Sequence, residues 1–353
     1  MSSDPNASPP IRHDMPTELP PVEPPSARFI VQLFVIPAAI VLVLVVAYLA
    51  FVQLPFGRLA NGGRDVMDYV RSIKGDNEHR RWRSAQDLAN LINNDAQLAK
   101  DSRLLGELTS LFHDKLAHPD KKSPELAVYL ALALGRFQTT RASPVEGVAL
   151  DPVEELTRAV GEDEQPSPVR VAAASSLANL AAQVRGKTDE GDVVKALARA
   201  SAASDPEVRA QASYALGFYD VEAAHAALRT RVEEDEAQFV RYNATVALTR
   251  LGDPAAARVL KEMLSPTDLV QLIKRSTPSE TQTAIEAVQL EALWALEAAP
   301  EAKRAGLARR ILPELENLAK IAPKNIRMEA QNVLQKIQKP GSGATLAAPK
   351  SSS

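Results

Sequence analysis

Asp205 and Arg209 stand four residues apart, and an arginine in the same setting returns at Arg170 and Arg241. An arginine recurring in register beside an acidic residue is the first arrangement in this chain with the look of a site. The second is His113 and His118 with Asp114 and Asp120, the only cluster among five histidines suited to metal or acid–base work. A separation of five puts the two imidazoles on different faces of a helix, unlike the i, i+4 pair of a zinc protease helix. His13 lies near the N-terminus, and His79 and His225 have no partner in the local sequence. The carboxylates Glu233, Glu234, Asp235 and Glu236 form a run rather than a converging pair, the pattern of a solvated helix end or inter-repeat loop.

Other chemistry is excluded more directly. The chain of 353 residues has no cysteine, so disulfides, thiol nucleophiles and cysteine-ligated zinc are ruled out. It contains no G-x-S-x-G elbow, no glycine-rich phosphate loop followed by Lys-Ser or Lys-Thr, and no dinucleotide fingerprint. No catalytic residue, cofactor or metal ligand is therefore assigned, and the chain is not expected to be an enzyme. A net charge of −3 and an aromatic content of 5% argue against a nucleic-acid partner.

The arginines make better sense as a repeat. Asp205-Pro-Glu-Val-Arg-Ala-Gln-Ala-Ser, continuing through Tyr214-Ala-Leu-Gly217, returns as Val169-Arg-Val-Ala-Ala-Ala-Ser-Ser-Leu177 and Val240-Arg-Tyr-Asn-Ala-Thr-Val-Ala-Leu248. With the arginine as origin, strong copies sit at Arg170, Arg209, Arg241 and Arg327. Weaker copies sit at Arg81, Ala127 and Gln289. The seven origins are 32 to 48 residues apart, the range of a helix-turn-helix unit stacked into a solenoid. Positions three, seven and ten after the origin share one helical stripe, so Ala212, Leu216 and Tyr219 point the same way. Small residues on that stripe let neighbouring helices approach, and stacked copies share one continuous core.

Oxygen-bearing residues precede proline at Ser123, Asp151, Ser167, Asp205, Asp253 and Ser265, the expected N-cap and N1 pairing of a helix start. Asp151 with Glu154 has capping-box spacing. With no strand alternation from Asn77 to Gln338, the expected fold is all-α: a right-handed α-solenoid of about seven helical repeats, plus one N-terminal transmembrane helix.

The Val-Arg-x-x-Ala-x-x-Ala-Leu phrases resemble HEAT repeats, in the shorter form also found in phycobilisome lyases, over roughly three quarters of the chain. In HEAT families the arginine and the helix-opening aspartate hydrogen-bond within or between repeats. The resemblance thus implies that Arg81, Arg170, Asp205, Arg209, Arg241 and Arg327 are structural positions. The layout as a whole is similar to membrane-anchored HEAT-repeat proteins of bacteria.

The anchor is read from Phe29 to Phe51, where no charged residue falls between Arg28 and Arg58. About 20 apolar residues span a bilayer core. The run begins later and is longer than the apolar region of a cleaved signal peptide. The expected divisions are a Pro-rich disordered tail over 1–28, the span over 29–54, a juxtamembrane hinge and short helix over 55–76, the solenoid over 77–338, and a second disordered tail over 339–353. Arg58, Arg64, Arg71 and Lys74 outnumber Arg12 and Arg28, which favours a cytoplasmic solenoid with the N-terminal tail opposite, although Arg28 beside the span argues the other way. The same four downstream residues are candidates for contact with anionic lipid.

The function this supports is a membrane-anchored scaffold whose solenoid binds a protein or peptide. The alternative is a ligand-binding or lyase-like protein of the bilin-lyase type, and the third is a nucleic-acid-binding solenoid.

Overall fold

The computed structural model describes residues 65–75, 78–119, 123–183 and 190–338. The chain divides into two units at Arg64. The first unit, with the expected tail and span, lies outside the described residues, as does the expected tail from 339 onward. No described helix is long and apolar enough to cross a membrane.

Sixteen α-helices are found among the described residues, and no strand beyond a single bridge between Val145 and Val148. Fourteen of the helices form seven pairs: α1 (Val66–Lys74) with α2 (Glu78–Asn94), α3 (Ser102–Ala117) with α4 (Glu125–Leu134), α5 (Pro152–Gly161) with α6 (Ser167–Gln183), α7 (Glu190–Ala200) with α8 (Pro206–Leu216), α9 (Glu222–Glu234) with α10 (Gln238–Leu251), α11 (Ala257–Leu264) with α13 (Pro278–Ala298), and α15 (Leu312–Ile321) with α16 (Lys324–Gln338). Two helices stand outside this rule, α12 (Pro266–Leu272) inside the sixth pair and α14 (Glu301–Arg310) between the sixth and seventh. α1 falls within 55–76 and packs on α2 and α3 as the first member of the first pair.

All seven repeat origins fall on the second helices, and six of them lie in the first turn. These helices contact one another in sequence, α2, α4, α6, α8, α10, α13 and α16, as one layer of the stack. Their packing follows the spacing of the repeat. Ala173, Ala212, Ala244 and Ala292, three after the origin, are buried, as are Leu177, Leu216, Leu248 and Leu296, seven after it. Residues at two, five and nine are left to the outer face of the layer, apart from Ala172 and Val246.

Glycine sets the closest approach. Gly135 and Gly217 each stand eight after an origin. A Cβ added there would lie 2.7 Å from the Cα of Ser176 or Ala247, six after the next origin. Only a residue without a side chain lets the two backbones meet at that distance.

The helix starts follow the proline pairs in part. Asp151, Asp205 and Ser265 cap α5, α8 and α12 through their side chains, whereas Asp253 caps only a 3₁₀ turn, Pro254–Ala256. Ser123 instead hydrogen-bonds the Glu125 carboxylate, so α4 begins without a side-chain cap. At Asp151 only the forward half of the capping box forms. The reciprocal box occurs at Asp65 with Asp68 and at Thr277 with Glu280.

Candidate interaction surface

The origin arginines bind the turn that precedes their own helix. Arg209 Nη1 donates to the carbonyls of Ala203 (3.0 Å) and Ser204 (2.9 Å), and Arg241 Nη1 to those of Asp235 (2.9 Å) and Glu236 (3.2 Å). Arg170 Nε reaches the Val160 carbonyl at 3.1 Å, and Arg81 Nε the Ile73 carbonyl at 3.1 Å. Each guanidinium thus satisfies carbonyls left over at a helix end or in a tight turn. Arg327, the fifth predicted arginine, makes no side-chain hydrogen bond of this kind among the described residues. Asp205 does not pair with Arg209: its carboxylate caps α8 through the Glu207 N–H at 2.9 Å, and a hydrogen bond from Ser167 holds it below the usual carboxylate range. The partner of Arg209 is Asp235, in the next pair.

The histidine cluster also resolves differently from its sequence order. His113 Nδ1 lies 2.9 Å from Glu155 Oε1, and Arg158 Nη2 lies 2.7 Å from the other Glu155 oxygen. His118 contacts the carbonyl of Asp114, and Asp120 lies outside the described residues. His225 sits between two carboxylates, 2.9 Å from Asp220 and 2.7 Å from Asp253. Among the described residues no cluster of three acidic or imidazole groups is placed to hold a metal ion.

Of the juxtamembrane cations, Arg58 and Arg64 lie outside the described residues. Arg71 pairs with Asp68 and Lys74 Nζ lies 2.8 Å from Glu107 on α3, and both cations remain exposed.

What remains for recognition is the outer face of the second-helix layer. At α8, Tyr214 and Phe218, five and nine after the origin, meet edge to face with ring centroids 5.6 Å apart. The guanidinium of Arg250, nine after the next origin, lies over both rings, 4.8 Å and 4.3 Å from their centroids. Gly217 makes this possible by bringing α8 and α10 together. Two rings set edge to face and one cation over both form a cation–π platform that a partner's apolar or aromatic group can extend. Further along the layer Trp294 is 49% exposed, and its Nε1 donates to Glu329 Oε1 at 2.9 Å. No sequence motif announced this group, which occupies positions five and nine, left free by the buried stripe.

At the other end of the layer, the starts of α2, α4 and α6 enclose a cavity of about 690 Å³. Trp82 and Tyr129 line it with nearly parallel rings 6.5 Å apart, together with Arg81, Lys115 and three prolines.

Residues 193–276 match the profile of the HEAT-repeat family, a stretch running from α7 through α12. That match and the all-helical repeat architecture support a HEAT-repeat protein. No curated protein matches the sequence. Among solved structures the chain is similar to an engineered protein determined by a structural genomics consortium, at 20% identity over 78% of this chain and 97% of that one, with a TM-score of 0.37. It is also similar to human deoxyhypusine hydroxylase in complex with glycerol, at 16% identity over 77% and 96%, with a TM-score of 0.23. Neither overlay is close enough to bear on function.

Proposed function

We propose that this HEAT-repeat chain is a non-catalytic scaffold, tethered by the apolar run from Phe29 to Phe51, whose stacked helices bind a protein or peptide partner. The platform of Tyr214, Phe218 and Arg250 on the outer face of the second helices carries this reading. Aromatic and arginine side chains that stay accessible yet well packed are the residues that concentrate binding energy in interfaces. The charge-free run supplies the tether, and the excess of arginine and lysine after it favours a cytoplasmic solenoid.

The decisive experiment is crosslinking and affinity capture of the full-length chain from detergent-solubilised membranes, beside a Tyr214→Ala/Phe218→Ala variant. A partner recovered with the wild type and lost with the variant supports the scaffold. Identical partners from both would remove the platform from the argument, and recovery of none would defeat the reading. Alkaline extraction tests the tether: a chain released into the supernatant is not integral to the membrane.

The cavity at the starts of α2, α4 and α6 favours a second reading, a small-molecule site. Its volume falls within the range of ligand pockets. A pigment or metabolite copurifying with the wild type, and absent after Trp82→Ala, would replace the scaffold with that alternative.

A further inference from the structure

α14 breaks the nearest-neighbour rule of the stack. From this helix Lys303 Nζ donates to both oxygens of Asp220, at 3.3 and 3.2 Å, and to the Leu251 carbonyl at 3.2 Å. Asp220 stands directly before α9, where the fourth pair passes into the fifth, and is bonded to His225 of α9; Leu251 ends α10 of the fifth, and α14 follows α13 of the sixth. One ammonium therefore ties both ends of the fifth pair to the helix that follows the sixth. Repeats in a solenoid otherwise contact only those beside them, so this link adds a constraint on how the stack bends.

The receiving end is shaped for it. Gly252 has φ +69°, and a Cβ added there would fall 2.5 Å from the Cβ of Lys303. The lysine stem thus rests on a backbone position that tolerates no side chain. Asp220 is held from behind by His225, whose other nitrogen faces the buried Asp253. Arg229 fixes Asp253 through Nε and Nη2, at 3.0 and 2.7 Å, and Glu222 through Nη1 at 2.8 Å. The Ala255 N–H holds the second Asp253 oxygen. Asp220 is therefore held on its far side, while Lys303 is 44% exposed at the edge of a cleft of about 490 Å³ that Asp220 and His225 also line.

We propose that α14 is a latch: Lys303 closing on Asp220 and on the Leu251 carbonyl sets the fifth pair against α14, and its release lets the solenoid bend between the fourth and sixth pairs. Because the contact is half-exposed, salt weakens it while the buried pairs persist.

The chain has no cysteine, so spin labels at Glu207→Cys and Ser279→Cys, both on exposed residues, report the separation of the fourth and sixth pairs without background. In the full-length chain, Lys303→Ala and Asp220→Asn should each broaden that separation. Each should also speed amide exchange from Phe218 to Val221 about fivefold, the population change that one such ion pair controls. Lys303→Arg should keep both readouts near wild type, as should Arg310→Ala, which removes an exposed charge from the same helix. Unchanged separation and exchange in Lys303→Ala would overturn the latch, as would an equal effect of Arg310→Ala. Global loss of helicity in Lys303→Ala would overturn it too, because a latch leaves the pairs themselves folded.

Discussion

Arg209 and Asp235 meet as a two-point pair, Nε to Oδ2 at 2.8 Å and Nη2 to Oδ1 at 3.0 Å, with both side chains buried. The same guanidinium clasps its own turn through Nη1, so one side chain joins the fourth pair to the fifth. Planar two-point geometry is what arginine offers and lysine does not.

Asp235→Ala should therefore destabilise the protein by about 3–5 kcal/mol, because it leaves a buried guanidinium uncompensated. Replacing both partners, as Arg209→Met/Asp235→Ala, should cost less than the aspartate change alone. Urea unfolding of the three variants decides it; a double variant weaker than Asp235→Ala would show that the charge pairing is not what matters.

The arginine clasps should differ in strength according to their bonds. Arg241→Ala gives up two charge-assisted bonds to carbonyls and should cost about 1.5–3 kcal/mol. Arg327→Ala should change thermal stability little, since no clasp forms there. Equal losses in calorimetry would contradict the geometry.

Glycine substitutions separate close packing from helix propensity. Gly217→Ala and Gly135→Ala should each cost about 1–3 kcal/mol by overpacking against the next second helix. Gly306→Ala, in α14 with nothing within 4 Å of the new methyl, should instead stabilise by about 0.4–1 kcal/mol. Melting temperatures of the three variants should move in these opposite directions.

Acid should unfold the middle of the stack first. A hydrogen bond from His225, with help from Lys303, holds the Asp220 carboxyl low. At Asp235 and Asp253 burial pushes the carboxyls up, but it is outweighed at Asp235 by Arg209, the Ala237 N–H and the charge of Arg231. The Ala255 N–H, His225 and Arg229 outweigh it at Asp253. All three therefore titrate below the unfolded value of 3.8. Their stabilisation is complete above that value and is lost as pH falls through the lower folded values. Amide protection across α8 to α10, relative to the intrinsic exchange rate at each pH, should fall below about pH 4. Asp253→Asn should be less stable at neutral pH yet show a shallower acid dependence, and a parallel curve would count against this assignment.

The repeat, its register and the placement of seven second helices were legible because each depends on residues within one helix. Leu216 and Ala212 announce their burial by spacing alone. The contacts that join pairs were not legible: Arg209 with Asp235, His113 with Glu155 and Lys303 with Asp220 are set by how helices align in the stack, and nothing in the local pattern encodes that alignment. α14 escaped notice for another reason. Its Arg304 clasps the Ala299 carbonyl at 2.8 Å as the origin arginines do, but the residues around it lack the valine and spaced alanines of the repeat phrase. The outer face was equally silent, since Tyr214 and Phe218 lie where the pattern leaves the residue type free.

An arginine that grips the turn before its own helix gauges the turn it holds, although the connection from Ile321 to Lys324 is short with no grip from Arg327. Where Arg81, Arg170, Arg209 and Arg241 occupy the origin, the connection within the pair is short; where Gln289 does, the chain accommodates α12. The α3–α4 connection, whose second helix carries Ala127, is likewise longer than the α9–α10 connection. For protein engineering this ranks the joints. Reporter peptides or grafted epitopes belong in the ungauged connection at 273–277, whereas an insertion at 235–237 would pry Arg241 from its carbonyls and uncouple the neighbouring pairs.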